Sequence, residues 1–399
     1  MVCFYNIKRN QNMKKLLLAL LAATGISAAQ AQSSVTMYGL LDVGYTGISE
    51  RVSTPLTGVQ KSQTNKFGQS AESASRLGIK GTEDLGNGTS AFFTAEFQLY
   101  PSNQSLSGST KTYDDDSAGG LINRQAFVGL RKTGLGQVAV GTQFTPVYNA
   151  VAATDPGATN NVVGSVIYAA NGTDGVSNNS FMARSSNAIT AKTDSFYGFT
   201  VSAMAAQNNQ NTTQNAQYQG GRDNQGGYGL NADYTWNKLY ATVAYQNFKT
   251  QQTTYSSSVP ASLMNTYGNT NSINSKDAQT YAGATYDFGI LKAYASWISD
   301  KATSTINSSQ FAKRQGQQIG VRAYVTPVVE AWASVGNGKV TAFGANQPTA
   351  NFVGYQLGSN YYLSKRTNLY AIFGSNQTSS TSNGAVGANQ YAMGVRHTF

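Results

Sequence analysis

Leu239-Tyr240-Ala241-Thr242-Val243-Ala244-Tyr245-Gln246 alternates without a break. Leu239, Ala241, Val243 and Tyr245 fall on one side; Tyr240, Thr242, Ala244 and Gln246 fall on the other. A period of two puts neighbouring side chains on opposite faces of a strand, and the two faces here are unlike. The same rhythm runs through Leu291–Trp297, Ile319–Val325, Val329–Val335 and Tyr391–Val395. No stretch after residue 31 keeps a helical period for three turns.

The gaps between strands come in two lengths. Seven short ones lie near residues 84–88, 133–136, 194–198, 237–238, 288–290, 326–327 and 364–366. Eight long polar ones lie at about 50–72, 101–120, 146–180, 208–225, 250–276, 300–315, 337–350 and 375–387. Short and long gaps alternate strictly, and fifteen gaps join sixteen strands. The expectation is an all-β chain folded as a 16-stranded antiparallel transmembrane β-barrel. Its tight turns lie at one end and its long loops at the other, with both termini on the tight-turn side.

Composition agrees for a physical reason. The 399 residues are 12% charged and 40% hydrophobic, with 41 Gly, 24 Tyr and 17 Phe. Soluble domains run at roughly 25% charged and 45–50% apolar. A barrel wall needs apolar groups only at alternate residues, because its other face meets water. At sixteen strands side chains no longer fill the interior, so the lumen is aqueous. Tyr and Phe near strand ends, such as Tyr38, Tyr100, Tyr197, Phe199, Tyr234, Tyr286, Tyr361 and Phe399, are expected in the interfacial girdles.

Residues 13–31 have the form of a secretory signal. Met13-Lys14-Lys15 is positive, Leu16–Ala23 is apolar, and Ala29-Gln30-Ala31 sets small residues before a cut ahead of Gln32. Residues 1–12 then form an upstream extension, and translation from Met13 is the expectation. Processing removes Cys3 together with Lys8, Arg9, Lys14 and Lys15 and no acid; four charges leave the total of +10, so the remainder carries about +6. Residues 32–399 form the barrel.

At this point the chain resembles the general porins of Gram-negative bacteria, in their betaproteobacterial form. The resemblance rests on motifs in order: Ser34-Val35-Thr36-Met37-Tyr38-Gly39, Ser75–Gly86, Asn123–Leu130, Arg184–Ala191 and Gly394-Val395-Arg396-His397-Thr398-Phe399. It implies an outer-membrane channel for passive diffusion of small hydrophilic solutes and ions, with a third loop folded into the barrel. It also implies a homotrimer, contact with outer-membrane lipid and lipopolysaccharide, and a terminal Phe399 read by the outer-membrane assembly machinery. The alternative is a substrate-specific channel of the same fold, for sugars, phosphate or organic acids. The third long gap contains Val162-Val163 and Val166-Ile167-Tyr168, apolar residues that fit a loop packed on an inner wall.

The selective residues follow from parity and resemblance together. Leu77 and Ile79 suit lipid, so Arg76 and Lys80 face water. Ile189 suits lipid, so Arg184 faces inward if its strand has no bulge. Parity leaves Arg124 open, because Phe127 competes with Val128 and Leu130. The resemblance places Arg76, Arg124 and Arg184 in one arginine cluster at the constriction, with Asp155 and Asp174 of the third loop as candidate facing acids. Thr142 stands where many relatives carry arginine, so weak to moderate anion selectivity is expected.

Enzymatic readings fare poorly. One His and one Cys exclude a His-rich or thiolate metal centre. His397, in the last strand at the tight-turn end, is read as structural and cannot serve a base–nucleophile pair in the loops. Asp114-Asp115-Asp116 reads as a solvated run in a polar loop, or a weak divalent-cation contact. No cofactor motif appears, and the basic residues are scattered rather than run together, which does not suit nucleic acid.

Overall fold

The computed structural model describes residues 34–56, 58–103, 106–107, 121–168, 183–212, 221–252, 274–305, 307–343, 349–380 and 384–399. The signal segment, the upstream extension, Asp114–Asp116 and Asp174 lie outside the described residues.

The strands are β1 (Ser34–Thr54), β2 (Gly58–Gln69), β3 (Arg76–Gly86), β4 (Thr89–Gln98), β5 (Asn123–Lys132), β6 (Gly136–Phe144), β7 (Arg184–Thr193), β8 (Phe199–Thr212), β9 (Gly221–Trp236), β10 (Leu239–Gln252), β11 (Ser275–Asp287), β12 (Lys292–Ser304), β13 (Phe311–Thr326), β14 (Val329–Phe343), β15 (Ala350–Tyr362), β16 (Thr367–Ser380) and β17 (Gly384–Thr398). All pairings are antiparallel. β2 and β3 are the halves of one barrel strand, since both pair with the same side of β1: β2 along Val43–Thr54 and β3 along Ser34–Leu40. The barrel therefore has sixteen strands, as the gap count predicts. It closes by pairing β1 with β17, from Leu40 opposite Thr398 to Ser53 opposite Ala385. Gly39 and Phe399 exchange both backbone hydrogen bonds at 3.0 and 3.1 Å, which seals the seam at the last residue.

Closure is what lipid demands. Backbone groups at membrane depth have no water to bond, so each must find a partner on a neighbouring strand. Val128, Val140, Val243, Ile319, Val335 and Val353 all point outward and are exposed. They form the apolar band the alternation predicts. The inward partners of the opening stretch, Thr242, Ala244 and Gln246, are at most 4% exposed because something covers them inside the barrel.

Several strands run further than the alternation alone suggests. Residues 50–54 and 58–69 continue the β1–β2 ladder through polar sequence, so much of the expected first long loop is strand. The break between β2 and β3 is held by Asp42, which is fully buried. Its carboxylate accepts from the backbone N–H groups of Glu72 and Ser73 at 2.9 and 2.7 Å and from the Tyr370 hydroxyl at 2.6 Å.

The girdle expectation holds at the tight-turn end, where Tyr197, Phe199, Tyr286, Tyr361 and Phe399 are exposed. Tyr38 is a correction: its hydroxyl donates to Glu96 Oε2 at 3.1 Å, so it belongs to the interior polar network.

Candidate functional site

The cover inside the barrel is the third loop. It leaves β6 at Thr145, whose hydroxyl caps a short helix, α1 (Pro146–Thr154), with Pro146 in the first turn where no N–H is required. Val147, Ala150 and Val151 pack with Ile167 against Ala244, Tyr281 and Ile298 of β10, β11 and β12. Val162 packs with Trp332, Tyr370 and Ile372 on the far wall. The apolar residues of the loop are thus buried against the inner face, as the sequence suggests.

Wall amides then pin the loop strand by strand. Gln246 Oε1 accepts from Val147 N–H at 3.3 Å. Gln318 accepts from Val166 N–H at 2.8 Å and donates to Asp155 Oδ1 at 3.0 Å. Gln356 Nε2 donates to Val162 O at 2.6 Å and Val163 O at 3.1 Å. Gln390 Oε1 accepts from Val163 N–H at 3.0 Å. Arg322 donates to Pro156 O through Nε and Nη2. The backbone comes so close at Gly374 that a Cβ there would lie 1.7 Å from Val163 O.

Opposite this seam stand the arginines. Arg124 is 5% exposed; its Nε donates to Glu96 Oε1 at 2.7 Å and its Nη1 donates to Gln98. Arg76 Nε lies 3.7 Å from Glu96 Oε2. Arg184 sits over the Phe144 ring, 6.0 Å from its centroid, within electrostatic reach of Arg124, Tyr148, Tyr168 and Glu96. Three predicted arginines are thereby brought together.

Backbone irregularities decide two of these placements. Val128 and Leu130 point outward, so simple alternation would send Arg124 into lipid. A register shift pairs Glu96 with Gln125 but Phe97 with Asn123, and this bulge turns Arg124 inward. β7 also has a shift, between Gly141 and Gln143 of its neighbour. The no-bulge condition for Arg184 therefore fails, and its contacts rather than its parity place it beside the other two.

The remaining candidates lie elsewhere. Lys80 sits over the Tyr38 ring at 5.4 Å, two same-face positions further along β3 than Arg76. Asp155 is 5% exposed in the seam, accepting from Gln318 and from Thr159 N–H at 2.7 Å. It is not brought to the arginines; the cation it feels is Arg322. Burial raises its pKa above the usual carboxylate range, against the opposing pull of those hydrogen bonds and Arg322. His397 accepts or donates one bond to Thr367 on the neighbouring strand, at 2.9 Å.

Sequence reasoning passed over Glu96, the carboxylate that meets the arginines among the described residues. A signal was present: an acid inside Thr89–Gln98 is costly on a lipid face, so it had to face inward. It also passed over the rings of Phe144 and Tyr148, and read Tyr168 only as an apolar wall contact. Phe144 and Tyr148 stack at 4.4 Å, and Tyr148 meets Tyr168 edge-on at 6.4 Å. No sequence period marks these, because the loop has none.

A closed apolar-belted barrel with a polar lumen and a charged inner wall defines a channel-forming outer-membrane protein. The family model for Gram-negative porins matches residues 17–381, and the chain belongs to that family. Outer membrane porin protein 32 of Delftia acidovorans is 27% identical over 395 residues, covering 96% of this chain and 95% of its own. An outer membrane porin of Bordetella pertussis is 34% identical over 151 residues, 36% of this chain and 37% of that protein's length. Among solved structures, the anion-selective porin from Comamonas acidovorans shares the fold with TM-score 0.66 at 21% identity, covering 92% of this chain and all of that one. The protein resides in the outer membrane, and its family is one of channels rather than enzymes.

Proposed function

We propose that this porin passes small hydrophilic solutes and ions by passive diffusion, with a weak preference for anions set at Arg76, Arg124 and Arg184. The arrangement that carries this reading is the gathering of three arginines with one described carboxylate, Glu96, among them. A charged ring at a narrow, water-filled place biases which ions enter. The excess of about six positive charges after processing acts in the same direction. The shared fold of a porin described as anion-selective supports it. Reversal potentials of the mature protein in a planar bilayer under a potassium chloride gradient test it: anion preference is expected, and cation preference refutes it.

The working form is a homotrimer, a reading supported by a porin-like fold relative from Vibrio cholerae described in trimer form, with TM-score 0.61. Heat-sensitive migration in detergent gels checks it. The mature chain begins at Gln32 after a signal at 13–31, with 1–12 upstream of the true start; N-terminal sequencing checks both. Phe399 is the residue the assembly machinery reads, and lipopolysaccharide surrounds the long-loop rim.

A further inference from the structure

The loop presents rings, not acids, to the arginine cluster among the described residues. Tyr148 and Tyr168 are both half-buried, meeting at 6.4 Å with ring planes inclined by 68°. Phe144 backs Tyr148 at 4.4 Å, and Arg184 lies over Phe144. Tyr148 feels Arg76 and Arg184; Tyr168 feels Arg184 and Arg124. Among the described residues the carboxylate that pairs with the cluster is Glu96, which engages the Nε edges of Arg124 and Arg76, while Asp155 reaches Tyr168 only electrostatically from the seam. No described carboxylate pairs with Arg184, which leaves its guanidinium fork for a passing anion.

We infer that the ring corner of Tyr148 and Tyr168, facing Arg184 and Arg124, is a subsite for anions that carry an aromatic ring, with aryl carboxylates as the class. This rests on the anion-channel reading and deepens it. The chemistry divides into two halves. A carboxylate matches the planar guanidinium fork, which offers paired parallel donors. A flat ring matches the tyrosine corner, since aromatic pairs favour offset-stacked or edge-to-face packing at centroid distances of about 4.5–7 Å. The barrel positions both halves independently: the arginines ride on β5 and β7, and the tyrosines ride on a loop anchored to β10, β11, β13 and β15. A small inorganic anion uses one half only and passes with weak retention. An aryl carboxylate uses both and dwells.

The probes are sodium benzoate, sodium cyclohexanecarboxylate and sodium acetate, added to the mature protein carrying a chloride current in a planar bilayer. All three bear one carboxylate, and the first two have rings of similar size, but only benzoate has an aromatic face. Benzoate is expected to reduce the chloride current saturably, at concentrations about two- to tenfold below those needed for cyclohexanecarboxylate, the factor expected of one aromatic contact. Acetate should show no saturation in that range. The double variant Tyr148→Leu with Tyr168→Leu keeps apolar bulk and should erase the difference between the two ring acids. Its unblocked chloride conductance and gel migration report that the barrel is assembled. The single variant Tyr168→Phe, which keeps the face, should retain most of the block. Anion preference with equal block by all three acids overturns the subsite and leaves the channel reading intact. Cation preference in the reversal potential overturns both.

Discussion

At the residue scale, the decisive chemistry is an arginine pair hung on one carboxylate. Glu96 receives Arg124 at 2.7 Å and stands 3.7 Å from Arg76, so it both orients the cluster and cancels part of its charge. Glu96→Gln keeps an acceptor oxygen and removes the negative charge. Unit charges 4 Å apart in water interact by about 1 kcal/mol. The chloride-to-potassium permeability ratio should therefore rise, by up to about fivefold, and the reversal potential reads it directly. An unchanged ratio would place the narrowest point away from Glu96. Asp155 gives a second residue-scale prediction. Its raised pKa means the docked loop binds the proton more tightly than a free loop would. Stability from this group is full at low pH and is lost as pH rises through the raised value. Acidification from neutral pH should quieten current fluctuations that arise from loop movement, and Asp155→Asn should flatten that dependence.

At the element scale, the third loop stays inside the barrel because the wall has been shaped to receive it. Buried valines and Ile167 supply the apolar contact, and fully burying one such side chain is worth about 1.5–3 kcal/mol. Gln246, Gln318, Gln356 and Gln390 then satisfy loop backbone groups turned against the wall. At Gly374 there is no space for a side chain, since a Cβ would overlap Val163 O. Gly374→Val should force the loop off β16 while leaving the ladder to β15 and β17 in place. Single-channel conductance should change and become noisy, whereas heat-sensitive gel migration should persist. A silent variant would mean the loop sits elsewhere in the membrane-embedded protein.

At the scale of the whole molecule, the barrel is closed by its two ends. Gly39 and Phe399 share both backbone hydrogen bonds, and β1 meets β17 along fourteen residue pairs. Deleting Phe399 removes the last of these bonds and the terminal ring. The assembled fraction recovered from outer membranes should fall several-fold, measured by heat-sensitive migration, with normal recovery counting against its role. Strand number, antiparallel order and the position of the tight turns were all legible in the sequence, because lipid imposes a period of two and each hairpin needs its own turn. The apolar content of the third loop also announced burial without naming its partners. What the sequence could not express is the outcome of backbone irregularity and long-range contact. A bulge opposite Glu96 reverses the face of Arg124, and a bulge in β7 breaks the count that ends at Arg184. Asp155 looked like a facing acid and lies instead in the seam with Gln318, while Tyr148 and Tyr168 occupy the side it was expected to fill. Alternation is local and survives in one dimension. Which wall side chains pin the loop depends on residues 99 to 227 positions apart, and only the closed barrel brings them together.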